Sequence, residues 1–173
     1  VSMPSGWTRL IFENFEIPYT VIYPKDIDAG NLKAKYDVIV LPSGAQIRGA
    51  GGGGFGGGGG RGGNAAENIP QEYQHMLGSL TPEKSLPALK QFMDDGGIVV
   101  AAGTASTIGL DLGLPVSNYM LVSAPGQEDR PLTGEEYYIP GSILEVRMNT
   151  DQPVTAGMPE KADVFFNNSP VFR

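Results

Sequence analysis

Ile98-Val99-Val100-Ala101-Ala102, running into Gly103-Thr104-Ala105-Ser106, is the stretch on which the fold turns. A short, continuous apolar run closed by glycine suits a strand of a parallel sheet. In α/β hydrolytic folds the tight strand-to-helix turn that follows such a strand lifts one side chain above the sheet edge as the nucleophile. Here the turn offers no cysteine, and the whole chain holds no Cys and a single His. The stretch reads as a catalytic scaffold without its chemistry.

Working outward, Leu86, Leu89, Phe92 and Met93 share one face of a preceding helix. Pro87 must sit in its first turn, which makes Ser85 the expected cap and Thr81-Pro82 a lead-in, and Gly96-Gly97 stops the helix. Asp37 to Leu41 is a second buried strand, whose run Val38-Ile39-Val40-Leu41 predicts cover on both faces. Tyr19 to Tyr23, closed by Pro24, reads as a short strand. Trp7, Leu10, Ile11 and Phe15 predict a helix from about Gly6 to Phe15, capped by Ser5 and followed by Pro18. Helices alternating with apolar strands imply right-handed crossovers and a three-layer α/β sandwich with a mostly parallel sheet. Such a fold ordinarily opens on a central strand, whereas this chain opens on a helix, so a first strand is expected to be missing. Beyond Leu112 the pattern changes to short strands, one carrying Ile143, Leu144, Val146 and Met148 and another Val164, Phe165 and Phe166. Both ends read as cut, so residues 1–173 are expected to be one domain within a longer protein.

Composition narrows the function. The 173 residues are 40% hydrophobic, enough for one buried core. A formal net charge of −7 argues against nucleic acid, which is held by clustered Lys and Arg. No apolar run approaches the roughly 18 residues of a membrane span, and the N-terminus lacks a basic-then-apolar leader pattern. Gly49 to Gly63 contains only glycine apart from Ala50, Phe55 and Arg61. A phosphate loop would end in Gly-Lys-Ser/Thr, which is absent, and the helix-start signal Asn64-Ala65-Ala66-Glu67 runs into Pro70. The tract is expected to be a flexible insertion.

Candidate chemistry is sparse. His75 stands in Gln74-His75-Met76-Leu77-Gly78, one ligand where catalytic zinc needs three, so no metal or cofactor is expected in this chain. The carboxylate pairs Asp94-Asp95 and Glu135-Glu136 are adjacent residues, which do not face each other on a helix or strand. Ser106 is the best-placed nucleophile but a weak one, because a hydroxyl needs a base and no His follows it. Its structural alternative is to cap a short helix from Thr107 to Leu110. Open α/β sheets bind ligands at the carboxyl ends of their strands, which makes Gly44, Gly103 and Thr104 the candidate pocket.

Several phrases resemble a known family. Gly6-Trp7-Thr8-Arg9, Pro18-Tyr19-Thr20-Val21, Asp26-Ile27-Asp28-Ala29-Gly30-Asn31-Leu32 and Tyr36-Asp37-Val38-Ile39-Val40-Leu41-Pro42 are similar to the domain following the peptidase in certain bacterial zinc carboxypeptidases. Tyr138-Ile139-Pro140-Gly141-Ser142 and Ala156-Gly157-Met158-Pro159 extend the likeness over most of the chain outside the glycine tract. The resemblance implies a flavodoxin-like, class I glutamine amidotransferase-like domain joined to a zinc metallocarboxypeptidase that is periplasmic or secreted. Zinc would belong to the peptidase domain of the same polypeptide, the implied partner. The His-x-x-Glu zinc pair has no counterpart after His75, and the amidotransferase cysteine and its His are also unmatched. The expected function is a non-catalytic accessory domain of that peptidase. The alternatives are a hydrolase using Ser106, and an interaction module in which the glycine tract orders on a partner.

Overall fold

The computed structural model describes residues 3–47, 69–122, 126, 129–139, 141–166 and 169–173. The glycine tract 49–63, the helix-start signal at 64–67 and Pro140 lie outside these. The chain divides into two compact units, Val1–Ser117 and Asn118–Arg173.

The first unit is built on a parallel strand pair. β1 (Val38–Leu41) and β2 (Ile98–Ala101) pair in the register Val38↔Ile98 to Leu41↔Ala101. α3 (Ser85–Asp94) makes the crossover between them and covers one face. Leu89 and Phe92 of α3 are buried there with Ile39 and Leu41, and Ile27, Leu32, Leu80, Ala105 and Ile108 complete the core. Ile27 comes from α2 (Pro24–Asp28), a single turn started by Pro24, whose entry is fixed by the Tyr23 amide donating to Asp26 Oδ2 at 2.7 Å.

The opposite face is not covered as the apolar run of β1 predicts. Val38 is 47% exposed, Ile98 58% and Val100 47%. The architecture observed is mixed α/β with one parallel pair and a helix layer on one side.

Three other expectations are corrected. α1 spans Met3–Asn14, so Ser5 lies inside it and cannot be its cap; Pro4 is tolerated in the first turn, where an amide would have no intrahelical partner. The helix closes through Ile17 N–H donating to the Phe12 carbonyl at 2.8 Å, with Glu16 in the left-handed region at φ 53°. Its Trp7, Ile11 and the following Phe15 are exposed. Tyr19 to Tyr23 forms no strand, because no ladder partner reaches it among the described residues. Ser85 does not cap α3. It is fully buried, donates to Asp28 Oδ1 at 2.6 Å and accepts the Thr81 amide at 2.9 Å, tying α2 to α3. The N-cap position is Lys84, which has no side-chain cap bond, and the Thr81 hydroxyl accepts the Lys84 amide at 3.3 Å within the lead-in turn.

The second unit carries the short strands foreseen beyond Leu112. β3 (Leu121–Val122) pairs antiparallel with β4 (Arg130–Pro131), and β5 (Ser142–Arg147) with β6 (Lys161–Phe166). In the longer pair Leu144, Val146, Ala162 and Val164 are half-buried while Ile143, Glu145, Asp163 and Phe165 face solvent, the alternation of a sheet with one packed face. None of this unit's described residues is fully buried.

Candidate functional site

The parallel register aligns the two strand ends. With Leu41 opposite Ala101, continuing the register puts Ser43 opposite Gly103 and Gly44 opposite Thr104. The structure brings these residues together. The Gly44 amide donates to Thr104 Oγ1 at 2.9 Å, and the Thr104 amide donates to Ser43 Oγ at 3.3 Å. The two hydroxyls lie 3.2 Å apart, so one donates to the other. Gln46 Nε2 and Thr107 Oγ1 both donate to the Thr104 carbonyl, at 3.1 and 3.0 Å.

Glycine is required at the crossing. Gly103 has φ +55°, and a Cβ on it would lie 2.7 Å from Ser43 Oγ. Gly44, at φ +95°, turns the chain so that its amide reaches Thr104. The candidate pocket residues Gly44, Gly103 and Thr104 therefore form one cluster, and each polar group named within it has an internal partner. Ser43, Gln46 and Thr107 belong to the same cluster and were not singled out from sequence. The signal for Ser43 was its position two residues beyond β1, matching Gly103 two residues beyond β2.

Ser106 sits in a 3-10 turn, Gly103–Thr107, that leads into α4 (Ile108–Asp111). Its hydroxyl donates to the Gly103 carbonyl at 2.6 Å, so it stabilises its own turn and does not cap a helix from Thr107 as expected. A nucleophilic hydroxyl needs an acceptor that can take its proton, and a peptide carbonyl cannot. His75 is in another 3-10 turn, Gln71–Met76, exposed and packed edge-on against Tyr23 at 5.4 Å between ring centroids. The structure gives no hydrogen bond between Ser106 and His75.

The carboxylate pairs are separate groups. Asp95 accepts Gln91 Nε2 at 2.8 Å at the exposed end of α3. Glu136 accepts both guanidinium nitrogens of Arg130, at 2.7 and 2.8 Å, together with the amide and hydroxyl of Thr133. These bonds, Arg130 first, hold its carboxyl down at about 2. Burial pushes the Asp111 carboxyl up. Among the described residues no three His, Asp or Glu side chains converge as a metal site, and no helix is long and apolar enough to cross a membrane.

Comparison with protein-family models, with curated proteins and with solved structures finds no match to this chain.

Proposed function

We propose that the chain is a non-catalytic accessory domain of a zinc metallocarboxypeptidase-like protein, in which the strand-end cluster is structural. The observation that carries the non-catalytic part is the hydrogen bonding of the turn after β2. Ser106 Oγ is engaged by the Gly103 carbonyl, and Thr104 Oγ1 by the Gly44 amide and Ser43. Among the described residues neither hydroxyl bonds to a base, and a hydroxyl without one is a poor nucleophile. The link to a peptidase rests on the family-like phrases at residues 6–9, 18–21, 26–32, 36–42, 138–142 and 156–159. In this reading the parallel pair is part of a flavodoxin-like, three-layer sandwich, zinc lies in the peptidase domain of the same polypeptide, and the protein is periplasmic or secreted.

The test is the intact mass of the native protein in its source, with peptide mapping upstream of Val1. A product much larger than 18.3 kDa that carries His-x-x-Glu is expected. A native product near that mass would overturn the reading. Exposure of the chain to a fluorophosphonate probe is a second arm: selective labelling of Ser106, lost in Ser106→Ala, would turn the assignment to a hydrolase.

A further inference from the structure

The turn that ends α3 carries the chain's one Asp-Gly step. Of nine aspartates only Asp95 is followed by glycine, and each of the others is followed by a residue with a side chain. A glycine leaves its own amide nitrogen unscreened, so among the aspartates this step offers the least steric resistance to closing a succinimide ring. The fold requires glycine there. Gly96 has φ +83°, its amide donates to the Met93 carbonyl at 2.9 Å, and the Gly97 amide donates to the Phe92 carbonyl at 2.8 Å, the paired bonds of a left-handed C-terminal cap.

The same cap keeps the reacting atoms apart. Asp95 has ψ 6°, which leaves the Gly96 nitrogen nearly eclipsing the nitrogen of Asp95. A near-planar five-membered ring needs it to eclipse Cβ instead, about a third of a turn away around the Cα–C bond. Rotating that far takes the Gly96 amide off the Met93 carbonyl. The carboxyl is tied as well, because Asp95 Oδ1 accepts Gln91 Nε2 at 2.8 Å. Ring closure therefore requires the cap to open.

We propose that Asp95 is an isoaspartate-forming site, that the cap of α3 holds it as aspartate, and that the change stops the cap from closing again. In the open turn the Gly96 nitrogen bonds to Asp95 Cγ, and its proton leaves with the carboxyl hydroxyl as water. A water molecule then adds at the former main-chain carbonyl and breaks the bond from that carbon to the Gly96 nitrogen. The backbone now runs through Cγ and the mass is unchanged. One backbone atom is gained between Phe92, 1% exposed, and Ile98, whose amide is fixed to the Asp37 carbonyl at 3.0 Å where β2 begins. Gly97 lies between them, and even a Cβ on it would come within 2.4 Å of the Phe92 ring, so the added atom has no room. The proposal is independent of the accessory-domain reading.

Incubation of the protein at mildly acidic pH, folded and in guanidinium chloride, tests it, with isoaspartate located by chromatography and fragmentation of the peptide spanning residues 91–98. In denaturant Asp95 should isomerise faster than every other aspartate. In the folded protein it should isomerise at least about tenfold more slowly than in denaturant, by a factor that matches the exchange protection of the Gly96 amide to within about tenfold, because both need the open turn. Asp95→Glu should abolish the product. Another aspartate isomerising as fast in denaturant overturns the site, and equal rates in the folded and denatured protein overturn the guarding role of the cap. The isoaspartate form, separated and returned to native buffer, should lose exchange protection at Gly97 and Ile98. Protection there equal to that of the aspartate form overturns the claim that the cap cannot reclose.

Discussion

Among the described glycines Gly97 leaves the least room for a side chain. A Cβ there would lie 2.4 Å from the ring of Phe92, which is itself 1% exposed. The ring is locked among core neighbours, so Gly97→Ala should destabilise the unit by about 1–3 kcal/mol, measured by urea unfolding. A change below about 0.5 kcal/mol would mean that the ring can move aside. At the strand ends the hydroxyl of Thr104 is the only partner of the Gly44 amide among the described residues. Thr104→Val keeps shape and removes that acceptor, at a cost of about 1 kcal/mol, whereas Thr104→Ser restores it and should recover most of the loss. A loss in Thr104→Ser with none in Thr104→Val would show that the methyl, not the hydroxyl, matters. This cluster was half legible in the sequence. Gly44, Gly103 and Thr104 could be named because strand ends are marked by apolar runs closed by glycine. Ser43 and Gln46 required the strand register, a long-range property that no local pattern contains.

Among the elements, the most clearly written were those whose partner is close in sequence or whose pattern is strict. β1, β2 and α3 stand nearly where their apolar spacing put them, and the β5–β6 pair follows period-two alternation. Boundaries failed where two polar residues competed for one role. Thr81 and Ser85 can each accept an amide, and only the position of Asp28, 57 residues from Ser85, draws Ser85 inward. Tyr19–Tyr23 failed for a different reason: β-branched and aromatic composition makes a segment fit for a sheet, but a strand exists only with a ladder partner. The turn after β4 carries a pH-dependent element. The folded carboxyl of Glu136 sits at about 2 against an ordinary 4.5, so its contribution is complete above pH 4.5 and is lost as pH falls toward 2. Acid titration followed by NMR of the Thr133 amide should show one transition near pH 2, absent in Glu136→Gln. A midpoint near 4.5 would mean the Arg130 fork does not persist in solution.

On the scale of the molecule, the two units differ in how they are stabilised. All the fully buried hydrophobic residues described, Phe92 and Leu89 foremost, belong to the first unit. The second depends on half-buried pairs such as Leu144–Val164 and Val146–Ala162, on ladder hydrogen bonds and on exposed ion pairs such as Lys161–Glu145 at 2.8 Å. Exposed pairs contribute at most about 1 kcal/mol, and half-burial gains less than full burial, so the second unit has the smaller reserve. It should open first. Native-state hydrogen exchange is expected to give the amides of β5 and β6 a lower opening free energy than those of Leu89 and Phe92. Leu89→Ala should cost the first unit about 2–5 kcal/mol while leaving exchange in the hairpin unchanged. Val164→Ala should speed exchange in β5 and β6 only. A single opening free energy across both units, lowered equally by either substitution, would mean that the chain folds as one cooperative body and that the half-buried face of the hairpin belongs to the same core.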